Sequence, residues 1–397
     1  MPPPRPHPLA VSRAAALANR AIGRLWETGL VPRPPLDPEF LWRKGAAGFV
    51  SADETAGRLP ADVADFRERL AALCRSLGQE ARLNALGHAM AYGQLTGAIR
   101  KRHALGRMWR AEPGLAQTPI APPIIVVGQM RAGTTRVHRL LAADPAHAGT
   151  RFCNAVMPVP PAIDWRPLKS RLGLAIARRI NPWLDTLHPF GATRVDEELG
   201  WLAGALDACA YEAQWRIPGF VALGEARDAA PVYREFARVL RSDAAIMRDA
   251  ARPRVLKCPQ FAEHLPALLA QFPDARVVVT RRESGAVLES SVSLVACQMA
   301  FQTDHASLPP IEREWRRKLG LRQQRMETAL ARFAGPVTEV DFEALSADWR
   351  GEIARAYAAL GIALTPAALA AMEREQAAAE GSAHRRHAGD YGRFARA

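Results

Sequence analysis

Three short runs of the chain are almost wholly apolar at successive positions: IIVVG (Ile124–Gly128), RVLK (Arg254–Lys257) and ARVVVT (Ala275–Thr280). Side chains alternate between the two faces of a strand, so a run without polar alternation is buried on both faces. That is the mark of a parallel strand held between helices. A fourth candidate strand is PVTEVDF (Pro336–Phe342). A helical pattern over Thr134–Ala143 follows the first run, and a helix ending near Phe272 precedes the third. Strands alternating with helices predict an α/β fold, a doubly wound parallel sheet flanked by helices. Ligands of such sheets sit at the carboxyl ends of the strands. Here those ends carry Gly128–Thr135, Lys257 and Arg281–Arg282.

Upstream, residues 11–110 read as largely helical. In Asp65–Leu95, Phe66, Leu70, Leu73 and Leu77 recur at steps of four, three and four with charges between them, and Leu83 and Leu86 continue the face less regularly. Tyr92–Trp109 continues as helix despite Gly93, Gly97 and Gly106. Pro113, Pro119, Pro122 and Pro123 then mark a boundary. The expected organisation is a helical N-terminal region (1–118), an α/β core (119–345), and C-terminal helices with a basic tail that complete the core (346–397). The Pro-rich residues 1–10 read as loose.

With 49% apolar and 23% charged residues over 397 positions, the composition is globular. The 53 basic against 40 acidic residues leave a net charge of +13. Clustered guanidinium groups suit an anionic ligand. The arginines are spread without a block of like charge, which argues against nucleic acid as the partner. Cys74, Cys153, Cys209, Cys258 and Cys297 are odd in number and widely spaced, which suggests neither a disulfide framework nor a zinc site. A reduced, cytoplasmic location follows. No apolar run is long enough to span a membrane.

The candidate chemistry begins at GQMRAGTT, Gly128–Thr135, which has the glycine spacing of a P-loop between a strand and a helix. Loop amides and the following helix N-terminus make a nest for an anion. Thr134 stands where an ATP or GTP enzyme has its Lys, and Arg131 places a cation inside the loop instead. The RVLK strand ends in Lys257, where a P-loop enzyme commonly has an acid that helps hold magnesium. Arg131 and Lys257 are thus placed to neutralise an anionic leaving group directly, without metal. After the third strand, TRRESGAVLESS (Thr280–Ser291) sets Arg282 and Ser290 to reach a second phosphate.

These segments resemble the sulfotransferase family, in the bacterial-type branch with an arginine in its P-loop. Met130–Thr135 is similar to the family's P-R-S-G-T-T loop, and Arg282-Glu283-Ser284 with Ser290 to its R-D-P-x-x-x-x-x-S segment. VLKCPQ (Val255–Gln260) resembles L-K-S-P-Q. HPFGATRVDEEL (His188–Leu199) resembles its carboxylate-bearing stretch, FEAL (Phe342–Leu345) its Y-E-D-L, and HRRHAGDYG (His384–Gly392) its H-R-Y…F-G ending. Ala132, Glu283, Ser284, Phe261 and Ala344 depart from those patterns.

The resemblance implies a P-loop-type sheet and transfer of a sulfuryl group from 3′-phosphoadenosine 5′-phosphosulfate to a hydroxyl or amine of a small molecule. Gly128, Arg131, Ala132, Gly133, Thr134 and Thr135 would hold the 5′ end, Arg282 and Ser290 the 3′-phosphate. Arg385 would close over the nucleotide. Arg131 and Lys257 would stabilise the leaving group. Among Asp196, Glu197, Glu198, His188 and His264, Glu197 is the expected base, because VDEEL falls between the loop and Lys257 and crowded carboxylates raise one another's pKa. The plainer reading of VDEEL is a solvated helix start, and of Trp201, Trp215 and Phe220 ordinary core. The rival functions are a P-loop nucleotide kinase or GTPase and a non-enzymatic anion-binding protein with a degenerate loop.

Overall fold

A computed structural model describes residues 4–380. Five parallel strands form one sheet: β1 (Ile124–Gly128), β2 (Ala148–Gly149), β3 (Arg254–Lys257), β4 (Arg276–Arg281) and β5 (Val337–Asp341). Their order is β2-β3-β1-β4-β5. The chain leaves β1 towards β3 and β2 on one side and crosses to β4 and β5 on the other. The carboxyl end of β1 therefore lies at the switch point, where the connections diverge and leave a crevice.

The strands have the two-faced burial that the apolar runs predict. Ile125, Val127, Leu256, Val277 and Val279 enter one core with the helices Ala230–Met247 and Phe261–Leu269. Ile124, Val126, Val255, Val278 and Val340 enter another, against the helices Thr134–Ala143, Trp349–Ala359 and Pro366–Glu380. Strand β5 alternates exposed and buried positions, as an edge strand does. The edge strand β2, of two residues, has too little sequence to show a period.

Two upstream expectations change. The Asp65–Leu95 pattern is not one helix. One helix spans Pro60–Gln79 and the next Ala85–Ala111, capped by the Asn84 side chain. The break lies at Arg82, whose φ of 49° is left-handed. Leu83 bridges Thr303 there, so the weakening of the apolar period at Leu83 marks the gap. Nor is the Pro-rich start all loose: the Arg5 side chain is buried and donates to the Ser293 carbonyl at 3.2 Å. Among the described residues no helix is long and apolar enough to cross a membrane.

Candidate functional site

At the end of β1 a Cβ on Gly128 would lie 2.2 Å from the Thr280 hydroxyl oxygen, so only glycine lets β1 and β4 end side by side. Gly133 turns the chain into the helix Thr134–Ala143 with a left-handed φ of 82°, and a Cβ there would meet Phe342 at 2.6 Å. Arg131 also has positive φ, 69°. Non-glycine residues hold that conformation at a cost of about 1–2 kcal/mol, and such strain gathers where function requires the shape. The amide of Ala132 donates to Gln129 O at 3.1 Å, within the loop. The amides of Gly133, Thr134 and Thr135 open the helix, where no intrahelical acceptor is available to them.

The expected cations converge here. Arg131 donates from Nε to Ser290 Oγ at 2.9 Å and from Nη1 to Leu187 O at 2.8 Å. Arg282 donates to Arg131 O at 2.9 Å and lies 4.2 Å over the Phe342 ring. Burial pushes the Arg131 guanidinium down to about 10, the charges of Arg282 and Arg5 add to this, and Glu197 opposes it. Cations gathered in this way favour an anion in their midst. Arg5 belongs to this group and was missed, because a lone arginine among prolines carries no periodic signal.

Lys257, 1% exposed, donates from Nζ to Thr135 Oγ1 at 3.1 Å and to Glu197 at 2.5 Å. Buried Asp196 accepts from His188 Nε2 at 2.7 Å. Burial works against its charge, yet His188, Lys257 and Arg139 hold its carboxyl well below the usual carboxylate range. Glu198 accepts from the Lys257 amide at 3.0 Å, and burial pushes its carboxyl up to about 8. The acidic stretch is thus no solvated helix start: two of its three carboxylates are buried.

The Glu198 carboxyl, raised from 4.5 to about 8, binds its proton more tightly in the folded state. Its contribution is whole below the unfolded value and is lost as pH rises towards 8. Glu198→Gln, which mimics the protonated form and keeps an acceptor for Lys257, should raise stability at pH 8 by about 4 kcal/mol and at pH 5 by under about 1 kcal/mol. Thermal melts of parent and variant at the two values provide the check.

A cavity of about 560 Å³ opens over the loop, lined by Arg131, Gly133, Thr134, Thr135 and Arg282. Arg136, Arg139 and Arg194 line it too, and among the described residues Glu375 is the one acid there. His188, Phe342, Trp349 and Gln376 close other sides. Lys257 and Glu197 lie next to Thr135 rather than in the lining. His264 is not at this site. It is buried with Nε2 3.7 Å from Cys209 Sγ and 3.9 Å from Asp207 Oδ1. Trp201, Trp215 and Phe220 belong to the core, and His138 is buried, its imidazole pushed down to about 3 by burial and Lys257. Arg385 and the His384–Gly392 segment lie outside the described residues. Where Glu283 departs from the family's aspartate, it caps the helix Ser284–Ala300 by accepting from the Gly285 and Ala286 amides at 2.6 Å.

A sequence model described as the sulfotransferase family matches residues 122–366. No curated protein sequence matches the chain. Among solved structures, the sulfotransferase STF1 from Mycobacterium tuberculosis is 28% identical, with a TM-score of 0.73 over 86% of this chain and 93% of that one. The sulfotransferase STF9 from Mycobacterium avium shares the fold, with a TM-score of 0.75 at 19% identity over 86% of this chain and 88% of that one.

Proposed function

The chain belongs to the sulfotransferase family of transferases, and from that premise we propose that it moves a sulfuryl group from 3′-phosphoadenosine 5′-phosphosulfate to a hydroxyl or amine of a small-molecule acceptor. The observation that carries this reading is the arginine-rich cavity over a P-loop that has Arg131 and Lys257 in place of lysine and metal-binding acid. A cavity of about 560 Å³ falls in the range of small-molecule sites, roughly 300–1,000 Å³.

In this reading the loop amides, Thr134 and Thr135 hold the 5′-phosphate, and Arg282 with Ser290 the 3′-phosphate. The acceptor oxygen or nitrogen forms the new bond to sulfur, opposite the bond that breaks to the 5′-phosphate oxygen. Its proton goes to a base, and the leaving phosphate takes the electron pair beside Arg131 and Lys257. In this reading residues 119–345 are the catalytic core, residues 1–118 the helical region before it, and 346–397 the part that completes the core, of which Trp349 and Gln376 line the cavity. A reduced, cytoplasmic location suits the five unpaired cysteines.

We expect transfer to proceed without a metal, because the RVLK strand ends in Lys257 rather than in an acid. Among the described residues the groups spaced to ligate a cation are Asp207–Cys209–His264 and Cys209–Glu212–Glu263, both away from the loop. A thermal shift with 3′-phosphoadenosine 5′-phosphate, beside ATP and GTP, tests the reading. Stabilisation of about 2.7 kcal/mol is expected at 100 times the dissociation constant, and it should persist with a chelator. Preference for ATP with magnesium would return the chain to the nucleotide kinases.

Arg282→Ala should weaken binding of 3′-phosphoadenosine 5′-phosphate by roughly 1.5–3 kcal/mol, the worth of a charge-assisted hydrogen bond. It should matter much less for adenosine 5′-phosphosulfate, which lacks the 3′-phosphate. Calorimetry with both nucleotides makes the comparison, and equal losses would remove Arg282 from the 3′ site.

A further inference from the structure

The helix Arg166–Ile180 carries an apolar stripe that none of the described residues covers. Arg166, Ser170 and Leu174 bury one side of it. The opposite side presents Trp165, Leu168, Leu172 and Ile176, which are 51%, 57%, 63% and 58% exposed, and Ile163 just before the helix is 65% exposed. Steps of three and four return to one side of a helix, so these side chains form a continuous row. Single exposed apolar side chains are ordinary, whereas a row of them marks an interaction surface.

The charges beside the row say what covers it. At about 100° per residue, Lys169 and Arg171 fall on opposite flanks of the stripe, and Arg179 falls on its line near the last turn. All three are exposed. Arg166 and Arg178 pair with Asp164 and Asp185, but among the described residues Lys169, Arg171 and Arg179 have no ion-pair partner. We infer that this helix docks the protein on the surface of an anionic lipid bilayer, lying in the plane of the interface. The tryptophan and aliphatic row enters the boundary between head groups and acyl chains, while the flanking cations reach lipid phosphates. The net charge of +13 draws the whole molecule to such a surface.

A second copy of the chain is a poorer occupant. Across a two-fold axis the cationic flanks would meet like charge. The helix is also fixed to the functional region. Its Arg178 donates to the Phe190 carbonyl at 3.0 Å, and the Ser12 hydroxyl donates to Ile180 O at 2.6 Å. Leu187 and His188, in the segment that follows, line the arginine-rich cavity.

The inference needs neither donor nor acceptor, so its test is independent of the proposed reaction. The full chain is sedimented with vesicles of phosphatidylcholine alone and of phosphatidylcholine mixed with phosphatidylglycerol. Parent protein should bind the mixed vesicles, bind the neutral ones weakly, and come off as salt is raised. Leu168→Glu and Leu172→Glu should each lower the partition coefficient roughly tenfold or more, the change that burial of one leucine side chain corresponds to. Lys169→Glu combined with Arg171→Glu should erase the preference for the anionic mixture. These positions are exposed, so melting temperatures should stay near the parent's. Failure of parent protein to bind the mixed vesicles, or equal binding by the leucine variants, would overturn the inference. So would a dimer, seen by sedimentation velocity, that Leu172→Glu dissolves without any effect on vesicles.

Discussion

Glu197→Gln should lower sulfuryl transfer by about 100- to 10,000-fold, the range for loss of a general base. The geometry adds a second expectation. Glu197 is the acid next to Lys257 Nζ, at 2.5 Å, and its charge opposes the depression of Arg131. Removing that charge leaves the two cations freer to hold an anion. Affinity for 3′-phosphoadenosine 5′-phosphate should therefore hold or rise while turnover falls. A simple structural injury would lower both, so calorimetry and initial rates on the same variant separate the two. A variant that transfers at the parent rate would remove Glu197 from the chemistry. The role would then pass to His188, which lines the cavity with Asp196 orienting its ring. His188→Asn assayed beside it decides between them, because the true base alone should lose turnover without losing donor affinity.

The α/β class and the principal strands were legible because burial on both faces leaves a run with no polar alternation, as Ile124–Gly128 shows. The loop was legible because two glycines are forced by contact, Gly128 against Thr280 and Gly133 against Phe342. What stayed hidden depends on distance in sequence. Arg5 lies against Ser293, and the carboxylates of VDEEL are buried by strands and loops that no local pattern includes. His264 was among the candidate bases. The helix Phe261–Leu269 carries it instead to Cys209 and Asp207, a direction that its chain position does not encode. The exposed row on Arg166–Ile180 has helical apolar spacing too, and only the three-dimensional structure separates a buried face from a bare one.

Arg322→Leu should destabilise the protein by about 3–5 kcal/mol, the cost of breaking a buried ion-pair cluster from one side. Arg322 is fully buried and donates to Glu212 and, at 3.1 Å, to Glu263. Lys318 donates to Glu263 at 2.7 Å and to Glu225 at 2.9 Å. Burial opposes the charge on Glu263, yet Arg322 and Lys318 hold its carboxyl well below the usual range. Without Arg322, Glu212 and Glu263 would share Lys318 and remain partly uncompensated in low dielectric. The cluster bears on function through what it ties together. It joins the helix Phe261–Leu269, which begins four residues after Lys257, to the helix Leu308–Leu330. The second helix also accepts from the loop residue Gln129, whose side-chain amide donates to Leu319 O at 2.8 Å. One helix thus braces both the loop and the segment that carries Lys257. Urea denaturation of Arg322→Leu gives the stability loss, and adding Glu212→Leu should recover part of it, since an apolar pair replaces a stranded charge. A loss under about 1 kcal/mol, or no recovery in the double variant, would mean that shape rather than charge holds this helix pair.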